Sequence, residues 1–174
     1  RAAGTPLTHA GARTALTLNG RWHVIVDPYD NGYVNYRLER FDASAKPRGG
    51  YFLDRKPASP GELIEYDFDT SASLNVPGDW NSQDDKLLYY ESTVWYRRLF
   101  DFKPRTPDAR QFIHFGGANY EADVYLNGAK LGRHVGGFTP FQFEVTGRLK
   151  PAGNSLVVRV NNQRRPDAVP TVNT

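Results

Sequence analysis

The sequence predicts an all-β fold, an antiparallel β-sandwich of the jelly-roll type with a long irregular insertion. No stretch of about twelve residues keeps a helical apolar stripe without a Gly or a Pro. Short segments with alternating apolar and polar residues recur between turn residues, which is typical of sandwiches and jelly rolls. The 174 residues are 39% hydrophobic and 13% aromatic. That composition supports one domain with a real core and excludes disorder for most of the chain.

The first half of the chain yields one clear strand and a long insertion. A turn at Asn19-Gly20 leads into the apolar strand Trp22–Val26. From 27 to 73 the alternation disappears and Pro and Gly residues recur. We interpret 27–73 as an extended insertion with one short helix around Tyr33–Phe41. Irregular segments of this length are usually functional or mobile.

The second half of the chain predicts a regular series of strands. Around Trp95, apolar residues occupy both parities of the strand, so we expect both faces of that strand to be covered. Asn127-Gly128 predicts a tight type I′ hairpin, because that turn needs positive φ at two positions. The remaining predicted strands are 111–115, 122–126, 130–135, 141–145 and 156–160.

The composition excludes several classes of protein. Lys and Arg number 22 against 19 Asp and Glu, and the net charge of +3 is scattered along the chain, so no nucleic-acid partner is expected. No apolar run approaches about 18 residues, which predicts no membrane span. The absence of Cys excludes disulfides, thiol catalysis and Cys-ligated zinc.

The predicted domain organisation is a flexible leader at 1–15, a sandwich domain at 16–162 and a linker at 163–174 towards a missing domain. The chain contains no Met, which indicates a processed form or a fragment. The leader is small and polar and lacks an apolar core, so it is not an intact signal peptide. A periplasmic or secreted protein is favoured over a cytoplasmic one, although no residue decides the location.

No catalytic motif is present. The chain lacks a G-x-S-x-G elbow, a P-loop and a dinucleotide-binding fingerprint, and its four histidines lack metal-ligand spacing. A glycosidase needs two carboxylates about 5–10 Å apart. Glu121 and Asp123 meet that distance along a strand, but we expect them on a solvated face opposite the core. The sequence therefore predicts no catalytic residues, no metal site and no cofactor in this chain.

Three clusters are candidates for binding. In Val76–Asn81, a Pro-Gly turn presents an acid, an indole and an amide together, the side chains that bind sugars. The candidates are Asp79, Trp80 and Asn81; the alternative is a buried Trp80 beside an Asp79 that caps its own turn. Gly136–Phe141 offers Gly137 and Phe138, or else a tight connection with a core-anchoring Phe. Tyr89–Ser92 is a sugar-facing cluster or a packing element at the rim.

Seven motifs in order give the chain a family resemblance over about residues 16 to 165. Together they resemble the N-terminal sugar-binding, galactose-binding-domain-like jelly roll of family 2 glycoside hydrolases, the β-galactosidases, β-glucuronidases and β-mannosidases. The motifs are Leu18–Trp22, Val76–Asn81, Val94–Arg98, His114–Tyr120, Val124–Gly128, Gly136–Phe141 and Leu156–Asn162.

The resemblance implies a domain without catalytic residues that belongs to a retaining glycosidase acting on terminal β-D-galactosides or β-D-glucuronides. Its partners would be a carbohydrate and the immunoglobulin-like and TIM-barrel domains of the same polypeptide, with a homo-oligomer left open. The barrel would carry both catalytic Glu residues. In the β-galactosidases the residue before the Trp of the V-P-x-x-W turn touches the sugar, which is Asp79 here. Glycines occupy the loop around Gly136 where those enzymes bind sodium, so no metal is expected.

Two other functions remain open at this stage. An autonomous carbohydrate-binding module would bind saccharides through Asp79, Trp80 and their neighbours. A structural or interaction domain without a ligand would instead expose an apolar patch for a partner.

Overall fold

The computed structural model describes residues 15–62, 64, 66–104 and 108–164. The predicted leader, apart from its last residue, and most of the predicted linker lie outside these residues. Among the described residues, every regular element longer than one turn is a strand, which confirms the all-β prediction. Short 3₁₀ turns lie at Asn31–Tyr33, Phe41–Ala43, Tyr51–Leu53 and Asp85–Leu87. The strands are β1 (Gly20–Asp27), β2 (Ser73–Val76), β3 (Thr93–Phe100), β4 (Phe112–Phe115), β5 (Glu121–Leu126), β6 (Ala129–Val135), β7 (Phe141–Glu144) and β8 (Asn154–Asn161).

The strands form two antiparallel sheets. The larger has the order β2-β1-β3-β8-β5-β6, and the smaller pairs β4 with β7. Between the sheets lies the main core, to which the larger sheet contributes alternate residues such as Val94, Val124 and Val158, and the smaller sheet Ile113 and Phe143. This arrangement confirms the predicted antiparallel sandwich. No helix among the described residues is long and apolar enough to cross a membrane.

The hairpin between β5 and β6 follows directly from its turn sequence. Asn127 and Gly128 have φ angles of 52° and 80°, the two positive values that a type I′ turn requires. The backbone amide of Asn127 donates to the carbonyl of Ser155 (2.8 Å), and the amide of Ser155 donates to the Asn127 side chain (3.0 Å). The turn is therefore also held to the start of β8.

The insertion covers the outer face of the larger sheet. A second core forms there, in which Phe52 and Phe68 of the insertion pack with Trp95, Tyr125 and Val157 of the strands. Trp95 is fully buried, and the ring of Phe52 stacks on that of Tyr125 at 4.5 Å. The prediction that both faces of the Trp95 strand are covered is confirmed, and within the described residues the outer cover is this chain's own insertion.

The prediction of a short helix around Tyr33–Phe41 is wrong. The chain forms a closed loop instead, with a bridge between Val34 and Arg40. The side-chain oxygen of Asn35 accepts the backbone amides of Arg37 (2.8 Å) and Glu39 (3.0 Å), which satisfies them without a helix. Asn competes with helical hydrogen bonding in this way because its short side chain reaches nearby amides.

Ion pairs join the insertion to the sheet. Arg159 of β8, 3% exposed, pairs with Asp30 of the insertion and with Asp123 of β5 (3.2 Å). Lys130 of β6 bridges Asp42 of the insertion (2.7 Å) and Asp123 (2.5 Å). Burial alone would raise the pKa of Asp42, but hydrogen bonds from Arg40, Lys130 and Tyr125 outweigh it and hold that pKa well below its usual range.

A separate set of ion pairs joins the insertion to β3. Arg97 of β3 is 2% exposed and contacts Asp69 (2.7 Å) and Asp54 (3.3 Å). Lys56 pairs with the same two carboxylates (2.6 and 3.3 Å). Buried charges persist only when they are paired, so these contacts fix where the insertion lies on the sheet.

Candidate functional site

The turn that follows β2 presents one exposed carboxylate. Asp79 accepts a hydrogen bond from the backbone amide of Ser82 (2.8 Å) and another from its hydroxyl (2.9 Å). These bonds favour the ionised form and lower the pKa of Asp79. Each carboxylate oxygen keeps accepting capacity on its solvent side, because an ionised carboxylate can accept about four hydrogen bonds. Asp79 is therefore both capped locally and free to accept from a sugar hydroxyl.

Trp80 lies in the main core rather than on the surface. Its side chain is 5% exposed, its indole N–H donates to the carbonyl of Tyr90 (3.2 Å), and its ring packs near those of Tyr90 and Tyr96. The aromatic face that a sugar would need is thus covered. This is the arrangement that the alternative interpretation of the turn expected.

Asn81 holds the following loop in place. Its side-chain amide donates to the carbonyls of Leu87 (2.6 Å), Leu88 (3.2 Å) and Tyr90 (3.3 Å). The side-chain amide therefore donates within the domain, and Asn81 stabilises the conformation of the 87–90 loop. Of the three candidates in this turn, Asp79 presents a free polar group to solvent.

The second candidate loop connects β6 to β7 and displays an aromatic ring. Phe138 is 79% exposed, whereas Phe141 anchors the loop in the core. His134 stacks on Phe141 at 4.1 Å between ring centroids and bonds the Thr139 hydroxyl (3.2 Å). Gly137 lies close to Asn119, since a Cβ atom there would come within 3.0 Å of the Asn119 side-chain oxygen.

On β5, Asp123 is buried and Glu121 is partly buried, so the expectation of a solvated face is wrong. Asp123 is fully buried and pairs with Lys130 and Arg159, while Glu121 pairs with Arg133 and Arg159. The insertion covers this face of the sheet. The strand register carried a signal for such a network, because Asp123 lies opposite Arg133 on β6 and Arg159 on β8.

The residues that the structure describes form no metal site. No group of three or more His, Asp or Glu residues there is placed to hold a metal ion. A cavity of about 180 Å³ lies between the insertion and the β5–β6 hairpin. Its two charged lining residues, Asp42 and Lys130, bind each other at 2.7 Å.

A family model described as glycosyl hydrolase 2 galactose-binding domain-like matches residues 78–169, more than half of the chain. The chain belongs to this family. The match includes the Asp79–Asn81 turn and strands β3 to β8. The whole insertion, 27–73, lies N-terminal to the match.

Relatives and solved structures carry the names of glycosidases. A β-glucuronidase of Bacteroides fragilis is 35% identical over 103 residues, and a β-galactosidase of Thermoanaerobacterium thermosulfurigenes is 33% identical over 160 residues, covering 57% and 91% of this chain. The chain spans 15% and 19% of these relatives' lengths.

Two solved β-glucuronidases share the fold. The enzyme from an uncultured Clostridium sp. matches 98% of this chain with a TM-score of 0.69 and 26% identity. The Bifidobacterium dentium enzyme, complexed with coumarin-3-O-glucuronide, matches 88% with a TM-score of 0.62 and 32% identity. The chain covers 26% and 21% of those two chains, so it corresponds to a small part of larger proteins.

Proposed function

We propose that this chain is the non-catalytic sugar-binding and support domain of a retaining family 2 β-glycosidase. The parent enzyme would hydrolyse terminal β-D-glucuronides or β-D-galactosides. The family match over residues 78–169 carries this proposal, together with relatives of both names that are several times longer than the chain. The catalytic carboxylates would belong to the rest of the polypeptide.

The state of the carboxylates supports a non-catalytic role. A retaining glycosidase needs a nucleophile and an acid/base about 5–5.5 Å apart, both open to the sugar. Asp123 and Glu121 are held by Arg159 and neighbouring cations instead, and Asp123 has no solvent exposure. Neither can reach a glycosidic bond without breaking the contacts that fix the insertion.

Asp79 is the residue that we expect to contact the sugar in the whole enzyme. Its carboxylate is exposed, ionised and oriented by Ser82, so it can accept a hydroxyl hydrogen bond without reorganising. Burial of Trp80 removes the aromatic face that would lie beside Asp79 in an autonomous carbohydrate-binding module. This difference favours a domain that completes a neighbouring site over one that binds sugar alone.

Turnover of aryl β-D-glucuronide and β-D-galactoside by the full-length polypeptide and by this 174-residue chain tests the proposal. We expect hydrolysis by the full-length polypeptide and none by the chain. Hydrolysis by the chain alone would contradict the proposal, as would a full-length polypeptide that is inactive on both substrates.

The role of Asp79 needs a separate test in the full-length polypeptide. Loss of a hydrogen bond to a charged group removes about 1.5–3 kcal/mol, so Asp79→Ala should lower kcat/KM about tenfold to a hundredfold. Asp85→Ala, at another exposed acid close by in the sequence, is the matched control and should leave kcat/KM unchanged. An unchanged kcat/KM for Asp79→Ala would remove Asp79 from the sugar site.

A further inference from the structure

One end of the sandwich displays a group of exposed apolar side chains. Strands β1, β6 and β8 end there and β3 and β5 begin there, because Asp27, Thr93, Asn161, Glu121 and Val135 form one row of paired residues across the sheet. Half of the ten most exposed large apolar side chains among the described residues lie in this row or in the loops beside it. We call them the aromatic end: Tyr29, Leu88, Tyr89, Val135 and Phe138.

Hydrogen bonds join these loops into one surface. The Ser92 hydroxyl donates to the carbonyl of Pro28 (3.2 Å), and the Ser92 amide donates to the side chain of Asn162 (3.0 Å). Further along the row, the amide of Tyr120 donates to the last residue of β8 (2.9 Å), and the amide of Gly136 donates to Tyr120 (2.8 Å). The loops that carry the aromatic end are therefore continuous with one another.

Hydrogen bonds at the residues on either side of Tyr89 fix its backbone and leave its ring exposed. It is 92% exposed, while the Asn81 side chain binds the carbonyls of Leu88 and Tyr90. The Tyr90 hydroxyl in turn donates to the carbonyl of Thr93 (2.8 Å) at the start of β3. The backbone of Tyr89 is thus fixed although its ring contacts solvent.

The other two exposed rings also sit on well-bonded turns. Tyr29 is 83% exposed, and the turn that carries it is closed by Asp27, which accepts the amides of Asn31 (2.9 Å) and Gly32 (2.8 Å). Phe138 is 79% exposed on the loop that the Gly136 amide ties to Tyr120, just before the start of β5. Aromatic rings on rigid supports lose little entropy when they are covered, which is typical of interface anchors.

The last described residues of the chain cross the same surface. Asn162 binds Ser92, and Arg164 pairs with Glu91 at 2.7 Å. The polypeptide therefore leaves the sheet at the aromatic end. We propose that the aromatic end is the docking surface for the part of the same polypeptide that follows residue 174. This inference rests on the proposed function, in which the chain is one domain of a longer glycosidase.

Labelling of single cysteines in the full-length polypeptide tests this surface, because this chain itself contains no Cys. Phe138→Cys and Tyr89→Cys probe the aromatic end. Tyr36→Cys is the matched control, since Tyr36 is 87% exposed but lies on the insertion loop closed by Val34 and Arg40. The labelling rate with a maleimide is measured at each position by peptide mapping under native conditions.

We expect labelling at Phe138→Cys and Tyr89→Cys to be at least about tenfold slower than at Tyr36→Cys, because a covered thiol reacts only when the interface opens. In the unsubstituted polypeptide, hydrogen exchange at 135–139 should be correspondingly slow. This second measurement covers the case in which a substitution itself breaks the interface. Fast labelling at all three positions with fast exchange at 135–139 would overturn the proposal.

Three outcomes distinguish docking within one polypeptide from contact between two copies, and test the docking surface separately from the proposed function. If slow labelling disappears on dilution, a second copy of the polypeptide covers the aromatic end and the proposal is wrong. Slow labelling at all dilutions in a polypeptide without glycosidase activity would support the docking surface and contradict the proposed function. Fast labelling with fast exchange at 135–139 in an active enzyme would contradict the docking surface alone.

Discussion

Neutralising the buried carboxylate of Asp123 should destabilise the domain strongly. The side chain has no solvent exposure and contacts Lys130 (2.5 Å) and Arg159 (3.2 Å). Asp123→Asn keeps the shape and leaves one positive charge uncompensated. Removing one partner of a buried ion pair usually costs about 3–5 kcal/mol. Because Lys130 keeps Asp42 and Arg159 keeps Asp30, we expect the lower end, about 3 kcal/mol.

Urea unfolding, monitored by fluorescence, measures this loss as a fall in the urea concentration at the unfolding midpoint, with the denaturant dependence m unchanged. At about 2–4 °C per kcal/mol for a domain of this size, the melting temperature should fall by about 6–12 °C. Glu144→Gln is the matched control, because Glu144 pairs with Arg110 at the surface and exposed pairs contribute little to stability.

A double-mutant cycle refines the test. Lys130→Gln and Asp123→Asn together remove both members of one pair, so the loss should be smaller than the sum of the single losses by at least about 1 kcal/mol. A loss below about 1 kcal/mol for Asp123→Asn would refute the reasoning, as would equal losses for Asp123→Asn and Glu144→Gln.

Three other predictions concern stability. The pKa of Asp42 is lower in the folded protein than in the unfolded chain, so the ionised carboxylate stabilises the fold. This stabilisation is complete above about pH 4 and is lost as the pH falls further. Acid unfolding series of the wild type and of Asp42→Asn should show the difference. Trp80→Ala removes a core side chain and should cost about 3–5 kcal/mol in urea unfolding. Gly32→Ala places a Cβ atom 2.6 Å from the Trp95 indole nitrogen and should cost about 1–3 kcal/mol, whereas Gly116→Ala meets no atom within 4 Å and should change stability by under about 0.5 kcal/mol.

Local patterns were enough to predict the strands other than β2, and the hairpin. The Asn127-Gly128 turn carries its own φ requirement, and alternation places Val124 and Val158 on the core face whatever happens elsewhere in the chain. These features depend on neighbours within a few residues. The sandwich could therefore be derived from the sequence alone.

The path of the insertion could not be derived in this way. Its position depends on contacts such as Asp30 with Arg159, residues 129 apart in the chain. The expected helix around Tyr33–Phe41 fails because the Asn35 side chain takes the amides that a helix would use. The burial of Asp123 follows from the same long-range cover, which no local pattern on β5 announces.

The candidate site was predicted only in part. Proximity in sequence brought Asp79, Trp80 and Asn81 into one cluster, but their side chains have different surroundings in the structure. Trp80 enters the core, Asn81 binds the 87–90 loop and Asp79 stays in solvent. Which member faces outwards depends on packing against Tyr90 and Tyr96, and sequence spacing does not encode that packing.

The central claim is that this chain supports a retaining glycosidase without supplying its catalytic carboxylates. Treating the full-length polypeptide with a 2-deoxy-2-fluoro glycoside traps the covalent intermediate of a retaining enzyme, and mass mapping then locates the label. The account predicts a labelled Glu outside residues 1–174. A label on a carboxylate within these residues, or hydrolysis with inversion and no label, would contradict it.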